Sequence, residues 1–146
     1  MIKLEGNIII NQPVDHVFDF MVDLENAPQW QTGVLGSQKI TEGTFGVGTR
    51  FKESVKLMGR PVEAVCEITE YEPKKKLAWK SDSSSLMSYE GQFTFEAAEG
   101  GTRVSYGGSA RLKGLWRLFE PLAAREARRE TVAELNKLKS VLEGQA

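Results

Sequence analysis

The chain has 146 residues, 40% of them hydrophobic and 27% charged, the composition of one globular domain. That length lets it bury roughly 70% of its unfolded surface and fold without staples. Nineteen Lys and Arg against twenty Asp and Glu leave a net charge of −1, so no overall basic field draws in nucleic acid.

One cysteine, Cys66, excludes an internal disulfide. The N-terminal MIKLEGNIII lacks the layout of a signal peptide, and no apolar run approaches the roughly 20 residues that cross a bilayer. A cytoplasmic setting and no integral membrane association are expected.

Ile2, Leu4, Ile8, Ile9 and Ile10 predict a first strand over residues 2–10, interrupted at Gly6. Asn11 then reads as a helix cap, Pro13 as a first-turn residue and Asp15 as a complement to the helix dipole. Val14, Val17, Phe18 and Met21 recur at helical spacing and give this helix one apolar face. A second short helix is expected from Leu24 to Trp30, interrupted by Pro28.

From Ser37 to Ala110 the pattern changes to short segments separated by turn signals. Six strands are predicted, over 36–42, 49–58, 62–71, 76–81, 86–97 and 102–110. Their connections are too short for crossover helices, so neighbours run antiparallel in a meander. The glycines of GTFGVGTRF precede a strand and no helix, which makes them a hairpin turn and no phosphate cradle. Beyond Gly114, Leu115, Phe119, Leu122, Leu135, Leu138 and Leu142 predict one amphipathic helix over 115–143, roughly 45 Å long. Such a helix lies across the concave face of a sheet that curls to meet it. The clusters Lys74, Lys75, Lys76 and Arg125, Arg128, Arg129 read as solvated surface.

Strand alternation assigns the inward face. Phe51, Glu53, Val55 and Leu57 share one side of their strand; Val62, Ala64, Cys66 and Ile68 follow on the next. Trp79, Ser81, Met87, Tyr89, Gly91, Phe93, Phe95, Val104, Tyr106, Gly108 and Ala110 continue that side. Small residues at Ala64, Cys66, Gly91 and Gly108 stand among large aromatic ones. Two readings are open: an apolar pocket with sparse polar anchors, or a core that helix side chains fill completely.

Glu53 is the sharpest oddity, because an unpaired carboxylate in an apolar enclosure costs several kcal/mol or keeps its proton through a raised pKa. It is a ligand anchor or a general acid/base; alternatively it turns to water, or Arg103 or Arg111 neutralises it. His16 falls on the polar side of the first helix, and Cys66 reads as a small buried hydrophobe. One histidine and one cysteine supply neither a zinc site nor a nucleophilic relay, so no metal and no cofactor are expected. Glu63, Glu67 and Glu70 form a solvated strand face. Trp30 reads as core and Trp116 as either cavity rim or core.

NQPVDHVFDFMVDLENAPQW at 11–30, GVGTRF at 46–51, ITEYEPKKKLAW at 68–79, GGTRVSY at 100–106 and LNKLKSVLE at 135–143 together resemble the START-like (SRPBCC) superfamily. Within it they are most similar to the polyketide cyclase/dehydrase and lipid-transport group. The resemblance implies an α+β helix-grip fold of the START/Bet v 1-like kind, a single domain over 1–146. Two short helices follow the first strand, and a curved antiparallel sheet wraps the long C-terminal helix. It also implies a cavity for lipids, sterols, quinones or polyketides, while no catalytic residue transfers by motif.

The expected lining is Phe51, Glu53, Val55, Ala64, Cys66, Trp79, Met87, Tyr89, Phe93, Tyr106, Trp116 and Phe119. Binding or carrying a small hydrophobic molecule is the expected function. One alternative is an enzyme of cyclase, dehydratase or isomerase type, with Glu53 and Tyr89 or Tyr106 moving protons. Another is an interaction module docking an unknown protein near Leu112, Leu115 and Trp116.

Overall fold

A computed structural model describes residues 1–31, 34–57, 60–82 and 87–144. In chain order it comprises β1 (Ile2–Ile10), α1 (Val14–Val22), a 3-10 turn (Leu24–Asn26), α2 (Ala27–Trp30), β2 (Val34–Lys39) and β3 (Arg50–Leu57). There follow β4 (Arg60–Glu72), β5 (Lys76–Ser81), β6 (Met87–Ala98), β7 (Gly101–Leu112), a second 3-10 turn (Gly114–Phe119) and α3 (Glu120–Glu143). The sheet order is β1-β7-β6-β5-β4-β3-β2, and every neighbouring pair is antiparallel. The meander and the long terminal helix are those of the expected helix-grip fold. Residue 86, expected to open a strand, and residue 58, expected to close one, lie outside the described residues.

β1 is continuous, pairing with β7 from Ile2 opposite Ala110 to Ile10 opposite Thr102, so Gly6 does not interrupt it. Gly6 serves the packing above it. A Cβ there would lie 2.9 Å from Leu135 Cδ1, so glycine lets that leucine of α3 seat directly on the strand without shifting.

The main core forms where α3 meets that pair of strands. Leu138 and Leu142, both fully buried, pack among Ile10, Val17, Phe18, Trp30, Phe93, Phe95 and Val104. Three polar contacts hold the C-terminal end of α3 in register with β1. The Asn11 backbone N–H donates to Glu143 Oε2 at 2.9 Å, Gln12 Nε2 to the Leu142 carbonyl at 3.0 Å, and Lys139 Nζ to the Ile9 carbonyl at 2.6 Å. The Leu142 carbonyl at the helix end thereby gains a partner from outside the helix.

Several boundaries depart from expectation. Asn11 does not cap α1; Pro13 occupies the cap position with extended backbone and no side-chain bond. Pro28 does not interrupt a helix but stands in the first turn of α2, where its missing N–H costs nothing.

The largest departure concerns the expected 115–143 helix. Residues 114–119 form a 3-10 turn, and the α-helix begins at Glu120 with Pro121 in its first turn. Inside a helix starting at 115, Pro121 would lack the N–H to bond Arg117 and its ring would meet that carbonyl, so the regular helix starts only here. The helix is then 24 residues, or about 36 Å. The apolar residues before and just after this boundary do not reach the core: Leu115 is 84% exposed, Leu118 79% and Leu122 68%.

This division predicts opposite outcomes for two leucines. Leu138→Ala should cost about 3 kcal/mol in urea unfolding through lost burial and a residual cavity. Leu118→Ala should stay within about 0.5 kcal/mol of the parent chain.

Candidate functional site on the concave face

The inward face divides into two parts. Over β6 and β7 it is filled by rings: Trp79 and Phe93 have centroids 5.3 Å apart, Phe93 and Tyr106 5.2 Å, and Trp30 and Phe93 5.7 Å. Room left by the glycines is taken up by these same rings. A Cβ on Gly91 would lie 2.9 Å from Trp79 Cζ2, and one on Gly108 2.6 Å from the Tyr106 hydroxyl. The alternation of large and small residues is therefore, at these two positions, interdigitated packing.

The second part lies towards the ends of β3, β4 and β6, where Glu53, Val55, Val62, Met87 and Tyr89 are only partly buried. Beneath them Phe51, Ala64, Cys66 and Ile68 are buried, and Phe51, Cys66, Ile68 and Leu77 form a second core cluster. Register explains the grouping. Glu53 pairs with Ala64 and Val55 with Val62 across β3 and β4, while Phe51 pairs with Cys66.

At the centre of this part the Tyr89 hydroxyl donates to Glu53 Oε2 at 2.9 Å. Cys66 Sγ lies 3.2 Å from the same hydroxyl and 4.0 Å from the carboxyl oxygen. β6 and β3 are three strand spacings apart, about 14 Å along a flat sheet, and side chains standing off it meet only because the sheet curls. The backbone of Tyr89 is itself fixed, its N–H donating to Ser81 Oγ at 2.8 Å.

Electrostatics follow from the enclosure. Burial pushes the Glu53 carboxyl above the ordinary carboxylate value, with the Tyr89 hydrogen bond pulling the other way. Burial, and then the neighbouring Glu53 charge, push the Cys66 thiol up to about 12. A thiol so placed is no thiolate nucleophile at neutral pH. Tyr89 is raised by the same two causes in the same order. Burial lifts Tyr106 to about 12, assisted by Glu134 and then Glu53. Cys66, Tyr89 and Tyr106 thus keep their protons at neutral pH, beside a carboxyl that burial makes easier to protonate than an ordinary one.

Neither arginine considered for Glu53 neutralises it in this arrangement: Arg103 pairs with Glu96 at the exposed surface, and Glu53 takes its hydrogen bond from a phenol. The structure brings Phe51, Glu53, Val55, Ala64, Cys66, Met87 and Tyr89 to one region, with Trp79, Phe93 and Tyr106 in the adjoining ring cluster. Trp116 and Phe119 are 40% and 43% exposed and pack on each other at 5.9 Å. His16 is exposed on α1, and Glu63 pairs with Lys52 and Glu70 with Lys76 on the outer face.

Sequence reasoning missed the helix side of the region. Glu130 and Glu134 are partly buried on α3; burial, and then Glu126, raise the Glu130 carboxyl, and Glu134 acts on Tyr106. The available signal was that Glu130 and Glu134 directly precede the buried Thr131 and Leu135, at the edge of the apolar stripe.

Two clefts of about 320 Å³ each lie on the outer face. One is bordered by Arg50, Glu67, Lys80 and Asp82, the other by Glu5, Asn7, Gln92 and Ser105. Their linings mix polar and apolar groups, with Val65 and Cys66 at the first and Gly6 and Tyr106 at the second, and mostly alternate with the inward residues. Among the described residues, no group of three or more His, Cys, Asp or Glu side chains is placed to hold a metal ion.

Among solved structures, a START superfamily protein from Mycobacterium smegmatis matches at TM-score 0.84 and 10% identity, covering 100% of both chains. TTHA0849 from Thermus thermophilus matches at TM-score 0.82 and 20% identity over 99% of each chain. The di-domain ARO/CYC BexL from the BE-7585A biosynthetic pathway matches at TM-score 0.76 and 18% identity, over 98% of this chain and 47% of that one. At such identities these likenesses establish the fold alone. No curated protein matches the sequence. The profile described as "Polyketide cyclase / dehydrase and lipid transport" matches residues 1–143, and the chain belongs to that family.

Proposed function

We propose that this protein binds a small apolar or amphipathic molecule, of lipid, quinone, sterol or polyketide character, against the partly accessible region of its concave face. One observation carries the reading: a carboxyl and a phenol, 2.9 Å apart, stand in an otherwise apolar and half-open surface. Val55, Val62 and Met87 supply contact area, each Å² of buried apolar surface contributing roughly 25 cal/mol. Glu53 and Tyr89 supply the sparse polar anchors that orient a ligand's carbonyl or hydroxyl. Membership of a family that includes lipid transport supports this reading.

A second reading, proton-transfer catalysis of cyclase or dehydratase type, is favoured by the raised Glu53 carboxyl. A carboxyl with a raised pKa keeps its proton to higher pH than an ordinary carboxyl, as a general acid requires. Likeness to an ARO/CYC protein is compatible with it. In this reading Glu53 exchanges the proton while Tyr89 stabilises the charge left on it.

A panel of lipids, sterols, quinones and aromatic polyketides should include a class that raises stability by about 2.7 kcal/mol at 100 times its dissociation constant, measured by thermal shift. Tyr89→Phe should weaken that ligand by about tenfold, the value of one buried hydrogen bond. Silence across all classes would refute binding. Glu53→Gln separates the two readings: with the catalytic one, turnover is lost while binding persists.

The same variant has a signature without ligand. The folded chain holds the Glu53 proton to higher pH than the unfolded chain, whose carboxyl titrates near 4.5. Its contribution to stability is therefore fully present below that value and lost as pH rises through the folded pKa. Glu53→Gln removes this loss, so its stability relative to the parent should increase as the pH is raised above about 4.5 in denaturant titrations. A difference independent of pH would show that Glu53 ionises as readily folded as unfolded.

A further inference from the structure

The exposed apolar residues around the second 3-10 turn form a coherent surface. Leu115 and Leu118 share one row of that turn and Trp116 and Phe119 the next, since a 3-10 helix repeats every three residues. Leu122 extends the patch onto α3. Leu115 and Leu118 are so fully exposed that they protrude from the surface, and such a contiguous group is not an ordinary feature of a soluble chain.

The charge around it is one-sided. Between Arg111 and Arg129 the chain carries six basic residues against two acidic ones, although the whole protein is nearly neutral. Of the two acids, Glu120 is paired with the N-terminal amino group of Met1 at 3.0 Å. Arg117 occupies the third row of the 3-10 turn, and Arg125 follows Leu122 by three residues; both are exposed. The patch also stands at the half-open end of the concave face, because Met87 pairs with Leu112, two residues before the turn begins.

We propose that this patch docks the protein onto the surface of an anionic lipid bilayer. Leu115, Trp116, Leu118 and Phe119 enter the interface, where a deformable medium envelops protruding side chains and a Trp sits at headgroup level. Arg117 and Arg125 meet lipid phosphates and the negative surface potential. A second copy fits the patch poorly: in a twofold interface it would meet itself, setting Arg117 and Arg125 against their own images. Docking stands independently of what the concave face binds, and it would place the half-open end of that face beside the membrane.

The test is co-sedimentation with vesicles of phosphatidylcholine alone or with about one-third phosphatidylglycerol, together with tryptophan emission. The parent chain should sediment with the anionic vesicles at least about tenfold more tightly than with neutral ones and show a blue shift from Trp116. Leu115→Ser with Leu118→Ser, and separately Arg117→Glu with Arg125→Glu, should each weaken binding by about tenfold or more. Both double variants should melt as the parent does. Equal binding to neutral vesicles, full binding by either double variant, or no vesicle binding would overturn the proposal. So would a dimer of the parent chain that Leu115→Ser with Leu118→Ser dissociates.

Discussion

Leu135, Leu138 and Leu142 dock onto β1 and the strands beside it, and the position of nearly every other feature follows from that contact. A single antiparallel sheet has two faces and must bury one of them, and α3 is the only long element available among the described residues to cover it. Pressed against Gly6 and tied to Ile9, Asn11 and Gln12, the helix sits over the β1–β7–β6 side. There the rings of Trp30, Phe93 and Phe95 complete the main core.

The β3–β4 side receives less cover, and its character changes accordingly. Phe51, Cys66, Ile68 and Leu77 make a smaller core of their own, above which Glu53 and Tyr89 meet. A polar pair of this kind costs stability in a filled core unless each member is satisfied. In this structure the hydroxyl satisfies one carboxyl oxygen and the site remains partly open, the condition under which a ligand can complete the remaining bonds. The cost of holding Glu53 in this setting and its capacity to anchor a ligand thus have one physical origin.

The break at Glu120 matters as much as the contact at Leu138. With Pro121 excluded from a helix interior, the chain between β7 and α3 becomes a short 3-10 turn whose leucines and aromatics face outwards. Apolar side chains that periodicity assigned to the grip of the helix are instead a surface, set at the end of the sheet where the concave face opens.

From the sequence by itself came the strand and helix order, the antiparallel meander and the inward residues of β3 to β7, because period-2 and period-3.6 patterns follow from backbone geometry. Glu53 was legible as an anomaly for the same reason: one charge interrupts an apolar alternation. Its partner was narrowed only to Tyr89 or Tyr106, since Tyr89 lies 36 residues away and reaches it only through the curl of the sheet. The filling of the space over Gly91 and Gly108 by Trp79 and Tyr106 was likewise undecided, because alternation tells which way a side chain points and not how far its neighbour leans over it. The exposure of Leu115 and Leu118 depended on where α3 begins and which half of the sheet it covers. Those are matters of packing between elements distant in the chain, which only the tertiary structure decides.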